Sequence, residues 1–193
     1  MRNSSGPVLD EWRIDTRHST LRFWLRHIVV HQIHGHFESW DGRVLVDPAT
    51  PALSSVSLWI DLGSVSTDNL ERDEHIRSVE FFDVGRYPRA TFTSTGVRVQ
   101  AHANPVVLGR LSLHGIEQEV EVEITDQAAR VDPDGHERRI YAVRAEIDRR
   151  AFGLQWNQDL DVGGVVVGDR IEIRAHVETV RASTRIAPTE PPS

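Results

Sequence analysis

The alternation of apolar and polar side chains with a period of two is the main pattern in this chain. It is clear between His18 and His27, where small or apolar residues on one face alternate with mostly polar residues on the other. The apolar phase of this run consists of Ser19, Leu21, Phe23 and Leu25. Such alternation predicts a β-strand with one face in a core and the other in solvent. Similar runs recur at residues 33–37, 43–46, 56–60, 90–97, 106–113, 120–124, 141–147 and 170–180.

One segment between two of these runs has the pattern of a helix instead. Residues 67–69 offer side chains that cap helix N-termini, and residues 70–77 then fit a short helix. The apolar residues of 81–84 are consistent with a further turn before Tyr87-Pro88. The sequence therefore predicts a short helical insertion near residues 69–84.

Many short strands separated by turn-forming dipeptides predict an all-β domain, either a sandwich or a closed barrel. Periodicity does not choose between the two, although a closed barrel has the advantage of leaving no exposed sheet edge. The length of 193 residues suits one domain. We expect a flexible N-terminus at residues 1–10, a barrel domain at residues 11–181 and a disordered, proline-containing tail at residues 182–193.

Composition and charge exclude several classes of function. The net charge is −7, which opposes binding to nucleic-acid phosphates. The chain has no cysteine, so disulfides and thiolate chemistry are absent. Its N-terminus lacks the apolar segment of a secretory signal, which predicts a cytoplasmic protein.

A series of motifs, in a fixed order over about residues 11–180, resembles the YceI family. The motifs near the N-terminus are Trp12-x-Ile14-Asp15, His18-Ser19, Phe23-x-x-Arg26-His27 and Gly35-x-Phe37. The central ones are Ser66-Thr67-x-Asn69-x-x-Arg72-Asp73-x-His75-Ile76-Arg77-Ser78, Phe81-Phe82-Asp83-Val84 and Tyr87-Pro88. The last are Gly109-x-Leu111-x-Leu113-His114-Gly115 and Asp148-Arg149-x-x-Phe152-Gly153-Leu154-x-Trp156.

This resemblance implies a fold, a ligand and partners. The implied fold is an eight-stranded, antiparallel, lipocalin-like barrel. The implied activity is the non-enzymatic binding, storage or transport of a polyisoprenoid lipid, such as an isoprenoid quinone or a polyprenyl carrier. No other cofactor is required for that activity. Transient contact with a membrane and pairing into a homodimer are further expectations.

The candidate ligand-binding residues come from the apolar phase of the predicted strands and from the aromatic motifs. Those expected to line the barrel are Leu21, Phe23, Leu25, Phe37, Val44, Val56, Leu58, Ile60, Phe92, Leu111 and Leu113. Those expected to close an end are Phe81, Phe82, Phe152 and Trp156. His27 shares the phase of Leu25 and would hydrogen-bond within the barrel or touch a ligand head group. The same apolar set would also suit an ordinary packed core.

Two polar groupings permit other interpretations. Asp73 and His75 could form the acid–base couple of a small hydrolase. Two positions apart on a helix, however, they point to different sides, which favours a structural role in which Arg72 and Asp73 anchor the helix. His31, His34 and His36 could bind a metal, but the phase of the strand turns His34 and His36 towards solvent, and no metal site is predicted.

A third interpretation is a barrel filled by its own side chains that serves as an interaction module. Trp24, Trp40 and Trp59 are expected on the surface and could then form a docking patch. The lipid binder, the interaction module and the hydrolase make different predictions about the barrel interior and about the surroundings of Asp73 and His75.

Overall fold

The structure of this protein, a computed structural model, describes residues 9–27, 31–99, 103–156 and 167–186. It contains eleven strand segments and one α-helix, α1, at Leu70–Arg77. The strands are β1 Leu9–Ile14, β2 Thr20–His27, β3 His31–Phe37, β4 Trp40–Val46, β5 Ser55–Asp61, β6 Val65–Ser66, β7 Arg89–Arg98, β8 Val106–Leu113, β9 Ile116–Val131, β10 Glu137–Asp148 and β11 Val167–Ile186. Short 3₁₀ helices occur at Thr16–His18, Pro51–Leu53, Leu62–Ser64 and Arg149–Phe152.

The eleven segments make eight barrel strands, because three pairs of segments are the halves of bent strands. β1 continues into β2 across Thr16–His18, β3 continues into β4, and β5 continues into β6 across Leu62–Ser64. The long strand β11 pairs with β2 along its first half and with β1 along its second half. Every pairing is antiparallel, and the order β1-β4-β5-β7-β8-β9-β10-β11 returns to β1. The predicted eight-stranded antiparallel barrel is therefore confirmed.

The regular structure extends further than the sequence pattern indicated. β1 begins at Leu9 and β11 ends at Ile186, so strand structure continues beyond residues 11–181 at both ends. The remaining parts of the predicted flexible N-terminus and tail lie outside the described residues. α1 fills only the first half of the predicted insertion, and Phe81 and Phe82 lie in turns that follow it. The N-cap is Asn69, whose side chain accepts a hydrogen bond from the backbone of Arg72.

Alternation along the strands directs the apolar phase into the barrel. On β2, Leu21 and Leu25 are buried while Arg22 is exposed, and on β8, Leu111 and Leu113 are buried while Arg110 is exposed. A glycine on β3 shapes this interior. Gly35 lies opposite Phe23, and a methyl group added there would overlap the Phe23 ring. The absence of a side chain at Gly35 thus lets the ring lie flat against the neighbouring strand.

A network of charged side chains links the start of β10 to the bend between β1 and β2. The Arg138 guanidinium donates to Asp132 Oδ2 at 2.7 Å, to Asp15 Oδ2 at 2.9 Å and to Glu178 Oε1 at 2.7 Å. Arg130 adds a second cation on Glu178. Hydrogen bonds from Arg138 and His136 lower the pKa of Asp132 to about 2. Burial alone would raise the pKa of Asp15, but hydrogen bonds from Arg138 and His18 hold it well below its usual value.

This network predicts a loss of stability in acid. The pKa of Glu178 is also lowered: burial raises it, but Arg130 and Arg138 outweigh that effect. Because the folded-state pKa values of these carboxyl groups lie below the unfolded ones, their stabilisation is present above about pH 5 and is lost as the pH falls towards about 2. We expect Arg138→Leu to lower the free energy of unfolding by about 2 kcal/mol at neutral pH, because it leaves Asp15 and Glu178 without that partner.

Urea unfolding at about pH 7 and about pH 3 checks this prediction. The decrease in stability between the two pH values should be smaller in Arg138→Leu than in the wild type. Arg110→Leu is the matched control, since Arg110 pairs with Glu117 on the surface at 3.5 Å and such pairs contribute little. An acid-induced decrease in Arg138→Leu as large as that of the wild type would contradict this role of the network.

Candidate functional site

Two apolar cavities occupy the interior of the barrel. The first, which we call the helix-side chamber, has a volume of about 510 Å³ and lies beneath α1. Its apolar wall consists of Phe23, Leu25, Ile33, Phe37, Ile60, Leu62, Ile76, Phe81, Phe82, Ala90, Leu111, Leu113, Ile147, Leu154, Trp156, Ile171 and Ile173. Its polar residues come from α1 and the N-cap: Asn69, Glu71, Arg72 and His75. Polar groups are therefore confined to the side that the helix covers.

The second cavity, which we call the far chamber, has a volume of about 390 Å³. Most of its wall is aliphatic or aromatic, with contributions from β4, β5, β7, β8, β9, β10 and β11. A few polar side chains also reach it. Burial raises the pKa of the Tyr141 hydroxyl, and the nearby Arg139 guanidinium opposes that effect. Arg139 in turn lies 3.4 Å from Asp126.

The two chambers adjoin each other, and four residues line both. These residues, which we call the neck, are Ile60, Leu111, Ile147 and Ile173. Several side chains that face the interior, such as Phe23, Ile60 and Ile173, are only partly buried although they pack against the core. Partial exposure of inward-facing groups means that side chains do not fill the barrel. An eight-stranded barrel has room for one slim ligand when its interior is unfilled.

Most of the residues predicted from the sequence line one chamber or the other. The helix-side chamber contains Phe23, Leu25, Phe37, Ile60, Phe81, Phe82, Leu111, Leu113 and Trp156. The far chamber contains Leu21, Val44, Val56, Leu58 and Phe92, and shares Ile60 and Leu111. Phe81, Phe82 and Trp156 line the helix-side chamber, and their role in closing an end of the interior stays a prediction.

Four residues are placed differently from their predicted positions. Phe152 is 1 % exposed and packs in the core, lining neither chamber, because the 3₁₀ turn at Arg149–Phe152 directs its ring into the core cluster. Trp40 was expected on the surface but is buried and lines the far chamber. Trp24 and Trp59 are half-buried, each under an arginine, Arg174 and Arg89. The side chain of His27 lies outside the described residues.

α1 is fixed over the helix-side chamber by its own charged side chains. Asp73 is buried and accepts hydrogen bonds from the backbone N–H of Thr67 at 2.9 Å and from its hydroxyl at 2.5 Å. Arg72 donates to the Thr67 hydroxyl and carbonyl, both at 2.8 Å. Arg77 donates to the carbonyls of Gly63 at 2.8 Å and Val65 at 2.6 Å. The structural interpretation of Arg72 and Asp73, as anchors of the helix, thus agrees with the geometry.

A buried arginine holds the segment that carries Trp156. Arg149 has no exposed side-chain surface and donates to the carbonyls of Leu154 at 2.5 Å and Trp156 at 2.9 Å. It also donates to the Gly168 carbonyl at 2.9 Å and lies 3.3 Å from Asp169. Burial lowers the pKa of Arg149, and the Asp169 carboxylate counteracts that effect. Through these bonds Arg149 positions the Trp156 ring at the helix-side chamber.

His75 lies between the helix and Trp156. Its ring meets the edge of the Trp156 ring at a centroid distance of 4.4 Å and an interplanar angle of 60°. Its Nδ1 lies 3.3 Å from Glu80 Oε2. Its Nε2 is buried and has no hydrogen-bond partner among the described residues. His75 therefore presents a polar atom without a partner in the wall of an otherwise apolar chamber.

Potential metal ligands come together in the described residues at one place, the hairpin between β9 and β10. Ligand atoms of Asp132, Asp134 and His136 lie within 4.8 Å of one another there. The Asp132 carboxylate accepts bonds from the backbone of Asp134 and His136 and from Arg138, which are the contacts of a tight turn. His34 is exposed on the outer wall and His36 is half-buried, while the side chain of His31 lies outside the described residues.

Residues of the last three strands were missing from the predicted wall. β9 contributes Val120, Val122 and Ile124, β10 contributes Tyr141, Val143 and Ile147, and β11 contributes Ile173, Ala175 and Val177. Each group alternates with charged or polar residues, so the pattern that identified β2 and β8 could have identified them as well. Among the described residues, none of the helices has the length and apolar character that a membrane-spanning helix requires.

Comparison with known proteins gives matches over most of the chain. The family model described as a YceI-like domain matches residues 12–179. A UPF0312 protein of Yersinia enterocolitica is 34 % identical over 184 residues, which cover 94 % of this chain and 92 % of that protein. Protein YceI of Salmonella newport is 32 % identical over 153 residues, which cover 78 % of this chain and 80 % of that protein.

Solved structures share the barrel. BcnA of Burkholderia cenocepacia superposes with a TM-score of 0.74 at 23 % identity, over 86 % of this chain and 98 % of that one. A domain from Saccharophagus degradans, described as a polyisoprenoid binding domain implicated in plant cell wall breakdown, superposes with a TM-score of 0.64 at 18 % identity. That superposition covers 89 % of this chain and 98 % of the domain. These likenesses show the fold.

The geometry around Arg149 predicts a large effect of a conservative substitution. We expect Arg149→Lys to lower the free energy of unfolding by about 2–4 kcal/mol, because one ammonium group cannot reach the carbonyls that the guanidinium bonds and leaves some of them unpaired. Arg150→Lys is the matched control, since Arg150 is half-exposed and also pairs with Asp169, at 2.7 Å. Urea denaturation compares the two variants, and equal losses would disprove the anchoring role.

Proposed function

The chain belongs to the YceI family, and we propose on that basis that its barrel binds and shields a polyisoprenoid lipid of the quinone or polyprenyl type, without catalysing a reaction. The observation that carries this proposal is the pair of adjoining apolar chambers that share the neck of Ile60, Leu111, Ile147 and Ile173. Each chamber has a volume within the range of small-molecule sites, about 300–1,000 Å³. Two such chambers in sequence suit a long, slim hydrocarbon better than a compact ligand.

The description of a structural neighbour supports the same ligand class. The Saccharophagus degradans domain, which shares the fold, is described as polyisoprenoid binding. The chemistry of the wall in this chain agrees with such a ligand, because burying hydrocarbon contributes about 0.8 kcal/mol per methylene and an isoprene unit up to about 4 kcal/mol. Several units would exceed the practical limit near 20 kcal/mol, so the costs of association and chain ordering absorb much of this gain.

Exposed apolar side chains near the helix support loading at a membrane surface. Leu70 begins α1 and is 82 % exposed, and Val79 follows the helix and is 79 % exposed. Both belong to the segment that covers the helix-side chamber. A shallow contact of these residues with a bilayer would bring the polar side of that chamber to the lipid head groups. Storage and transfer of an isoprenoid both require such a step.

The geometry disfavours the two alternatives. A barrel filled by its own side chains would not contain the two chambers. The hydrolase would need a coupled acid and base, but the hydrogen bonds of Asp73 go to Thr67, and Nδ1 of His75 faces Glu80 Oε2 at 3.3 Å. Among the described residues, this pair therefore does not form the arrangement that nucleophilic hydrolysis uses.

We expect the protein to carry lipid when it is purified without added ligand. Native mass spectrometry should detect a bound species that organic extraction removes. The extracted protein should then take up a prenylated quinone, because its chambers are apolar. Recovery of no lipid together with no uptake of the quinone would contradict the proposed function.

A further prediction concerns the length of the bound isoprenoid chain. We expect Ile173→Trp to obstruct the neck, so that long isoprenoids bind at least about tenfold more weakly while short ones keep their affinity. His176→Trp is the matched control on the same strand, because His176 is exposed on the outer wall. Competition binding with prenylated quinones of different chain length measures the effect. If long and short quinones lost affinity equally, a bound chain would not extend through the neck from one chamber into the other.

A further inference from the structure

We propose that the far chamber binds a long-chain carboxylate, whose head accepts hydrogen bonds from Arg139 and Tyr141 and whose hydrocarbon lies along the apolar wall. This site goes beyond the proposed function, because it assigns a second class of ligand to the end of the barrel away from α1. The recognised chemistry is a carboxylate on an apolar chain, whether that chain belongs to a fatty acid or to an isoprenoid acid. Three features support the site: the order of side chains along β10, the pairing of Arg139 and the apolar wall of the chamber.

The inner face of β10 changes from polar to apolar along the strand. Every second residue of this run lines the far chamber, namely Arg139, Tyr141, Val143, Ala145 and Ile147. Ile147 also lines the helix-side chamber, so Arg139 belongs to the opposite end of the run. At about 3.4 Å per residue, the run extends over about 27 Å. One strand therefore provides a polar pair followed by an apolar track long enough for an extended hydrocarbon chain.

Arg139 and Tyr141 provide two donors that one carboxylate group can bridge. The two head groups are close, since the Arg139 guanidinium opposes the effect of burial on the pKa of Tyr141. Burial raises that pKa, so the hydroxyl keeps its proton at neutral pH and can donate a hydrogen bond. The guanidinium is always charged, and its planar fork matches the two oxygens of a carboxylate.

Arg139 is paired more weakly than Arg181, which lies on the neighbouring strand β11. The Arg181 guanidinium lies 2.7 Å from Asp10 and 2.7 Å from Glu137. Arg139 Nη1 lies 3.4 Å from the Asp126 carboxylate, and both side chains of this pair are about half-exposed. Water screens such a pair, so it contributes little to stability. The contact uses only part of the Arg139 guanidinium, whereas Arg181 already has two close carboxylates.

The ring of Trp12 supports the Arg139 guanidinium. Trp12 is 5 % exposed, and the guanidinium carbon of Arg139 lies 5.5 Å from its ring centroid. Such a cation–π contact limits the positions that the guanidinium takes up. A donor that is already positioned loses less freedom when it binds a ligand. Trp12 thus holds the positive charge at the end of the far chamber.

Asp126 is the group that competes with a ligand for Arg139. Because its side chain is 54 % exposed, Asp126 can turn into solvent when a ligand carboxylate takes its place. The hydrocarbon of the ligand favours this exchange, since the chamber of about 390 Å³ has a mostly apolar wall in which the chain is removed from water. A short acid such as acetate lacks that gain. We therefore expect the site to select long-chain carboxylates over short ones.

Isothermal titration calorimetry of the full-length protein, after organic extraction of bound lipid, tests the site with dodecanoate and its methyl ester. The ester keeps the chain and loses the charge, so the wild type should bind the acid at least about tenfold more tightly. Arg139→Gln should abolish this preference, and Tyr141→Phe should reduce it. Arg144→Gln is the matched control and should keep the preference, because Arg144 is 64 % exposed on the outer wall of the same strand.

Asp126→Asn tests the site in the opposite direction. Loss of the competing charge should tighten the binding of dodecanoate and leave that of the ester unchanged. Since the side chains of Asp126 and Arg139 are both about half-exposed, these variants should fold. Farnesoic acid, which has the same main-chain length with methyl branches, distinguishes the two sources of the carboxylate. Tighter binding of farnesoic acid would identify an isoprenoid acid, and tighter binding of dodecanoate would identify a fatty acid.

The outcomes separate this site from the proposed function. Equal affinity of the wild type for the acid and the ester would overturn the site, as would a preference that survives in Arg139→Gln or is lost equally in Arg144→Gln. Uptake of a prenylated quinone by the same preparation would then leave the proposed function in place. Binding of dodecanoate through Arg139 without any uptake of the quinone would support the carboxylate site and contradict the proposed function.

Discussion

Closure of the hydrogen-bonded strands into a ring is the constraint on which the rest of this structure depends. Because each of the eight barrel strands pairs with a neighbour on both sides, most backbone polar groups of the described strands find partners around the barrel. The inner wall is then free to be apolar, and the period of two directs charged residues such as Arg22 and Arg110 outwards. With eight strands the bore is narrow, and whether it is filled depends on individual side chains. Here it remains unfilled in two chambers.

Besides the network around Arg138, polar side chains gather where α1 covers the ring. Charged residues there do not form a reactive cluster; they bind backbone groups, as Arg77 does with Gly63 and Val65 and Arg149 does with Leu154 and Trp156. These contacts resemble the capping of chain segments more than the ion pairs of a surface. They give a short helix, which would be marginal alone, a fixed place above the interior.

Alternation predicted the strands and much of the inner wall because it is a local signal that tertiary contacts did not override. The choice of a closed barrel over a sandwich came from the resemblance to the YceI family. The sequence predicted α1 to the residue, since capping side chains and the absence of alternation both mark Leu70–Arg77. Three features depended on distant contacts and were missed. Trp40 is buried because the strand bends before it, Arg149 is buried because carbonyls from separate segments surround it, and Phe152 turns into the core rather than towards the bore.

Glycine determines the bore of the barrel as much as the apolar residues do. The Phe92 ring lies across Gly109 of the neighbouring strand, in space that a methyl group there would occupy, just as Phe23 lies across Gly35. The ring positions, and with them the free cross-section, are therefore set by backbone on the adjacent strand. A relative with alanine at such a position would have a barrel interior of different width, even if its wall residues were identical. Substitutions at positions that do not contact the ligand can thus change which ligands such barrels bind.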